Sequence, residues 1–134
     1  MVWTPQMLAA ALQNIHDLNI KTHNDEQSLI VKMDDYGDLQ LNVLFTSRQM
    51  IIETIICPVN DIQHQDEFNL FLLRHQKLLP LSSVGISRVQ LEEYYVAFGA
   101  LSLNSSLDDV VLEMKTLADN ALDLAEITEE YTHE

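Results

Sequence analysis

Residues 29–45 read Leu29-Ile30-Val31-Lys32-Met33-Asp34-Asp35-Tyr36-Gly37-Asp38-Leu39-Gln40-Leu41-Asn42-Val43-Leu44-Phe45. The period of this stretch decides the fold. Leu29, Val31 and Met33 alternate with Ile30, Lys32 and Asp34, the period-two pattern of a half-buried strand. Leu39, Leu41, Val43 and Phe45 then alternate with Gln40 and Asn42. Between the two runs, Asp35-Tyr36-Gly37-Asp38 is turn chemistry, so the second strand returns as a hairpin partner of the first. The aspartates of this turn lack the alternate oxygen ligands and terminal glutamate of a calcium loop, and a hairpin accounts for every residue in it.

Working outward, Thr46-Ser47-Arg48-Gln49 forms a second turn, and Met50 to Cys57 is an isoleucine-rich run bounded by Pro58. Such a run predicts a central strand and completes an antiparallel meander. The period changes over residues 64–79. Phe68, Phe71, Leu72, His75 and Leu79 line one helical face, with Asp66 and Glu67 in the first turn and Arg74 and Lys77 near the last, as the helix dipole favours. Pro80 ends that helix. Residues 84–89 give a fourth strand, Leu91-Glu92-Glu93 a turn, and Tyr94 to Leu101 a fifth strand with Gly99 at a bulge or close approach.

The flanks are helical. Thr4-Pro5 supplies an N-cap hydroxyl and a proline at the first helical position, and Leu8, Leu12 and Ile15 carry the stripe towards Leu18-Asn19. Residues 19–27 are polar and read as a loop able to enclose a short edge strand. Asn104-Ser105-Ser106 offers caps for a last helix whose apolar stripe runs from Leu107 to Ala125, with Asp119, Asp123, Glu126 and Glu130 on the other side. Residues 129–134 are expected to fray. The outcome is one α+β domain over residues 1–134, order αβββαββα, with a five-stranded antiparallel sheet. Its helices cover one face, and its other face is solvated or covered by a second subunit.

Composition narrows function by exclusion. The 134 residues include 21 acidic against 7 basic ones, a formal net charge of −14. Such a field repels phosphate backbones and anionic lipid surfaces and favours a basic partner. No apolar run approaches the roughly 20 residues of a membrane span, and residues 1–5 lack the basic and apolar regions of a signal peptide. A cytoplasmic protein without direct membrane insertion is expected. The single Cys57 cannot form an intrachain disulfide and reads as a buried structural residue. His16, His23, His64, His75 and His133 make no metal-ligand spacing; His64 and His75 share a helix face but stand some 16 Å apart. Paired acids at Glu92-Glu93, Asp108-Asp109 and Glu129-Glu130 read as solvated surface charge, and Gly37, Gly85 and Gly99 form no phosphate loop. Neither a catalytic residue, a metal nor a cofactor is indicated.

Two features point to binding: the acidic face of the last helix, and Tyr94, Tyr95 and Phe98. Alternation sends Tyr94 and Phe98 to one sheet face and Tyr95 to the other. One set packs in the core and the other is free for an interface, where tyrosine is enriched. Glu92, Glu93 and Tyr95 are the candidate partner-binding residues.

Trp3-Thr4-Pro5, the Asp35-Tyr36-Gly37-Asp38 turn and the strand Glu93-Tyr94-Tyr95-Val96-Ala97-Phe98-Gly99-Ala100-Leu101 together resemble the bacterial YjfI-like family of unknown function, over essentially the whole chain. The element order is also similar to that of class I type III secretion chaperones, whose members dimerise and bind extended segments of a partner protein. The family resemblance further implies genomic proximity to a phage-shock-protein-A-like membrane-stress protein, a candidate partner. The reading that follows is a non-enzymatic adaptor or chaperone-like module, acting as a homodimer and docking a protein by apolar contact or strand addition at a sheet edge. The alternative is a small hydrolase or transferase in which His64 or His75 meets a carboxylate in a closed cleft. A nucleic-acid mimic would need carboxylates spaced along one surface like phosphates, which the scattered acids do not provide.

Overall fold

A computed structural model describes residues 2–132. The chain runs α1 (Pro5–Gln13), β1 (Ile20–Asn24), β2 (Ser28–Met33), β3 (Leu39–Phe45), β4 (Met50–Pro58), α2 (Gln65–His75), β5 (Ser83–Val89), β6 (Glu92–Leu101) and α3 (Leu107–Thr132). Short 3-10 turns occupy Asp34–Tyr36, Val59–Asp61 and Gln76–Leu78. The sheet is antiparallel throughout, in the order β1-β2-β3-β4-β6-β5.

The hairpin forms where the alternation places it. Met33 pairs with Leu39 across a turn closed by Gly37 at φ 69° and Asp38 at φ 60°. The left-handed region is nearly free for glycine, which fits its place here. Leu29, Val31, Leu41, Val43, Met50, Ile52 and Ala97 all point to one face and are buried there with Leu8 and Leu12 of α1 and Val110, Met114, Leu117 and Ala118 of α3. The core therefore lies between the sheet and its helices. The opposite face carries Ile30, Leu44, Ile51, Glu53, Ile55 and Phe98, and among the described residues no helix covers it.

Six strands replace the expected five. The additional strand, β1, lies within the polar stretch 19–27, where Thr22 pairs with Val31 and His23 with Ile30. An edge strand is half solvated on both faces, so its residues Ile20-Lys21-Thr22-His23-Asn24 show little apolar alternation to read. Lys21 there meets Asp34 at 3.1 Å.

Several boundaries also move. Thr4 Oγ1 caps α1 by accepting from the Met7 N–H at 3.2 Å. That helix stops at Gln13 rather than near Leu18, because the Asn14 and Ile15 N–H groups bond back to Ala11 and Leu12 in a tightened last turn. The second helix ends at His75 and continues as a 3-10 turn, with His64 at φ 50° on its N-terminal side. The β5–β6 turn is Gln90-Leu91, with Gln90 at φ 59°, so Glu92 and Glu93 are strand residues facing Val89 and Arg88 rather than turn residues. Gly99 is a close approach and not a bulge; the irregularity falls between Ile55 and Cys57 of β4.

The expected fraying from residue 129 does not begin there. Helix α3 remains helical through Thr132, and residues 133–134 lie outside the described chain. Tyr131 holds this end: its ring packs 4.8 Å from that of Phe68, and its carbonyl accepts from the Gln63 N–H at 2.7 Å. The N-terminus of α3 is capped by Ser106, whose Oγ accepts from the Asp109 N–H at 3.1 Å.

Candidate functional site

Helix α2 carries more leucine than one buried face can absorb. Phe68 and Leu72 go inward, while Leu70 and Leu73 stay in water. The excess continues along the chain through Leu78 after the helix, Leu81 in the connection, Ile86 and Val89 on β5, and Leu91 in the turn. Seven of the thirteen large apolar residues exposed among the described residues thus fall between positions 70 and 91. Leu73 is 69% and Leu91 92% exposed, which is apolar area that neither the core nor a neighbouring helix claims.

Between α2 and β5 these residues border a groove of ≈ 280 Å³. Leu72, Leu73 and Gln76 form one wall, Val84 and Ile86 the other, and Tyr95 and Asn69 the floor. The floor is fixed by chemistry: the Tyr95 hydroxyl donates to Asn69 Oδ1, and its ring meets Phe68 edge-on at 5.0 Å. Burial raises the Tyr95 phenol above its ordinary range, with Cys57 adding to the effect.

One wall of the groove is also an edge of the sheet, since β5 is terminal in the strand order. Gln76 holds that edge at one point. Its Nε2 donates to the Val84 carbonyl at 2.9 Å, and the Val84 N–H donates to its Oε1 at 3.1 Å. The connection behind is tied to α3 by Asn120, whose Nδ2 donates to the Pro80 carbonyl and to Ser82 Oγ, both at 2.9 Å.

The three residues chosen from sequence separate here. Tyr95 is only 2% exposed; its ring belongs to the groove floor and the core, and so it offers no outer surface for a partner. The free aromatic face is that of Tyr94 and Phe98, half-buried on the uncovered side of the sheet. Glu92 and Glu93 are exposed at the hairpin end of β6, beside the groove's outer end rather than within it. Glu92 accepts from the Tyr94 hydroxyl at 3.3 Å, and its carboxylate raises the Tyr94 phenol. Leu73, Gln76, Val84 and Ile86 were not singled out in the sequence. The crowding of leucines at 70, 72, 73, 78, 79 and 81 was the available signal.

Among the described residues His16, His64 and His75 stand apart from carboxylates. His75 Nδ1 lies 2.7 Å from the Phe71 carbonyl and its ring 4.3 Å from that of Phe71, while His64 is exposed. Among the described residues the one histidine–carboxylate contact is His23–Asp25, at 3.9 Å on the surface. Cys57 is half-buried rather than fully buried, and its thiol is pushed up by burial and by Asp61, against a smaller opposing effect of the Thr128 hydroxyl. A raised thiol keeps little thiolate at neutral pH. No helix among the described residues is long and apolar enough to cross a membrane.

Residues 2–132 match the model of a family described as an uncharacterized protein conserved in bacteria, DUF2170. Two similar relatives, both named uncharacterized protein YjfI, come from Escherichia coli strain K12 and Escherichia coli O157:H7. Each is 68% identical over 133 residues, covering 99% of this chain and 100% of the relative. The chain belongs to the DUF2170 family, in agreement with the YjfI-like resemblance of its motifs.

Proposed function

We propose that this chain is a non-enzymatic protein-binding module of the cytoplasm, an adaptor or chaperone-like partner that docks another protein on the α2–β5 strip. The observation that carries the reading is the concentration of exposed apolar residues between positions 70 and 91, beside a groove whose floor is rigid. Exposed apolar patches of this kind mark interaction sites, and aliphatic anchors in a preformed pocket are what such sites use for affinity. The acidic field, formal net −14, speeds encounter with a basic protein and selects against acidic ones. A phage-shock-protein-A-like protein is the candidate that the family resemblance suggests.

The module acts as a homodimer in this reading. Its second copy lies against the uncovered sheet face, where Leu44, Ile51, Ile55 and Phe98 otherwise remain in contact with water. That arrangement leaves the β5 edge free for the partner.

The test is affinity purification of the tagged protein from its native host at low and high salt, beside a Leu73→Asp variant. Leu73 is 69% exposed, so the aspartate costs the fold little while placing a charge at the groove wall. A single near-stoichiometric partner, lost at high salt and lost with Leu73→Asp, is the expected result. A partner that Leu73→Asp retains in full, or no partner at either salt, refutes it.

A further inference from the structure

We propose that the partner is received as an extended segment added as a new strand to the free edge of β5, at the position where the Gln76 side chain now stands in for it. This rests on the protein-binding reading and specifies its mode. The pair of bonds between Gln76 and Val84, one accepted and one donated by the same backbone residue, is the pattern a neighbouring strand makes. It shows that the Val84 N–H and C=O point away from β6. Strand geometry alternates with period two, so the N–H and C=O of Ile86 and Arg88 point the same way. Among the described residues no hydrogen bond from outside the sheet reaches either of them. The edge therefore offers two open backbone positions and a third held by a side chain that can swing away.

The groove supplies the side-chain half of the recognition. Val84 and Ile86 face the layer of α2, so every second side chain of an added strand enters the space bounded by Leu72, Leu73 and Tyr95. Main-chain bonds then give affinity and alternate pockets give specificity. The other sheet edge is poorly suited. Strand β1 has five residues, with Lys21 and His23 among them, and charged residues on a short strand blunt an edge.

Charge decides the occupant. The β5 edge of a second copy carries its own Glu92 and Glu93 beside it and so brings acid to this surface, whereas a segment with an apolar centre and a lysine or arginine end meets Glu92 and Glu93 at the hairpin end of the edge. The occupant is thus an extended segment of another protein, apolar at alternate positions and basic at the flank that meets Glu92 and Glu93.

The probe is the synthetic peptide Lys-Lys-Val-Thr-Val-Thr-Val-Lys-Lys, titrated into the full-length protein. Two further peptides are N-methylated on all valines or on all threonines. In an added strand, alternate residues turn their N–H groups to the edge, so only one methylation pattern removes the bonds to Ile86 and Arg88. The expected result is that one methylated peptide binds about tenfold or more weakly while the other keeps the parent affinity, since each lost bond contributes on the order of 1 kcal/mol. Slowed amide exchange at Ile86 and Arg88 accompanies binding of the parent. Equal behaviour of the two methylated peptides, or no binding of the parent, overturns strand addition. A dimer whose Ile86 and Arg88 amides are already protected without peptide overturns it in favour of a second copy. Failure here, with the native partner still captured and still lost with Leu73→Asp, leaves the protein-binding reading standing and removes only the mode.

Discussion

Replacing Glu113 by glutamine is expected to stabilise this protein at neutral pH. Glu113 lies on the sheet-facing side of α3, is 6% exposed, and its Oε2 has no hydrogen-bond partner. Burial raises its carboxyl above the usual range. A carboxyl whose folded value is raised binds its proton more tightly folded than unfolded, so folding is penalised as pH rises. The penalty is absent below the unfolded value of about 4.3, grows above it, and is complete once pH exceeds the folded value. A buried neutral polar group left unsatisfied costs about 1–3 kcal/mol and a charged one more, so glutamine, which removes the charge at nearly unchanged volume, relieves the excess that the charge adds. We therefore expect Glu113→Gln to gain about 1–2 kcal/mol at pH 7.5 and little at pH 4, which is a Tm rise of several degrees for a domain of this size. The same site explains Gly99. A Cβ there would stand 2.5 Å from Glu113 Oε2 and 3.2 Å from the Leu81 carbonyl oxygen, so Gly99→Ala must displace the carboxylate and also crowds a backbone oxygen. Gly99→Ala costs about 1–3 kcal/mol alone and less in the Glu113→Ala background, a coupling that a double-mutant cycle measures by urea denaturation. A Glu113→Gln variant no more stable at pH 7.5 than at pH 4, relative to the parent, refutes the reasoning.

Two further substitutions follow from the same structure. Gln90 sits at φ 59° in a two-residue hairpin turn, a conformation costly for a residue with a Cβ. Gln90→Gly is expected to raise stability by about 0.5–1 kcal/mol in urea titration, and a loss would show that the Gln90 side chain contributes more than its backbone strain costs. Glu53 lies on the uncovered sheet face opposite Phe98, and burial already raises its carboxyl. In the proposed dimer, pairing two copies on that face removes more water from it, so that association would take up protons and strengthen as pH falls towards the carboxylate range. Sedimentation velocity should show Glu53→Gln associating more strongly than the parent at pH 8 and equally at pH 5; identical behaviour at pH 8 places the dimer elsewhere.

Legibility followed burial. Strands β2, β3 and β4 were readable because one face of each meets α1 or α3, which imposes period two on the sequence. Strand β1 was not, because at an edge both faces see water and nothing forces alternation between Lys21, Thr22 and His23. The α2 boundary shifted by four residues because His75, at φ −110° and ψ 7°, leaves the helical path and the chain tightens into the Gln76–Leu78 3-10 turn, from which the Gln76 side chain bonds Val84, a tertiary contact with no local signature. Tyr95 illustrates the same limit at the candidate site. Alternation separated it from Tyr94 correctly, but which face met the helices depended on where Phe68 and Tyr131 arrived. The groove itself joins residues 69–76 to 84–95, and no pattern internal to either segment announces that pairing.

The chain's charges and its apolar strip are distributed in a way that assigns them different tasks. Of seven basic residues, Arg74, Lys77 and Arg88 belong to the α2–β5 region, so the strip is locally the least acidic part of a strongly acidic protein. A basic segment drawn in by the overall field is therefore not held by its charges at the groove, where Arg74, Lys77 and Arg88 oppose it. In the proposed complex its apolar centre seats there, and a basic end reaches past the strip to the hairpin end, where Glu92 and Glu93 and, across Asn60, Asp66 and Glu67 of the first turn of α2 lie together. Screening acts over about 8 Å at physiological salt, so added salt weakens the distant attraction far more than the apolar contact. Attraction at long range combined with local repulsion of charge would fix the register of a segment bound as proposed, since sliding it would carry a lysine onto the strip. In the proposed complex the acidic composition and the leucine excess thus act together: the first recruits, and the strip of residues 70–91, which holds no acidic residue, decides which part of the partner comes to rest.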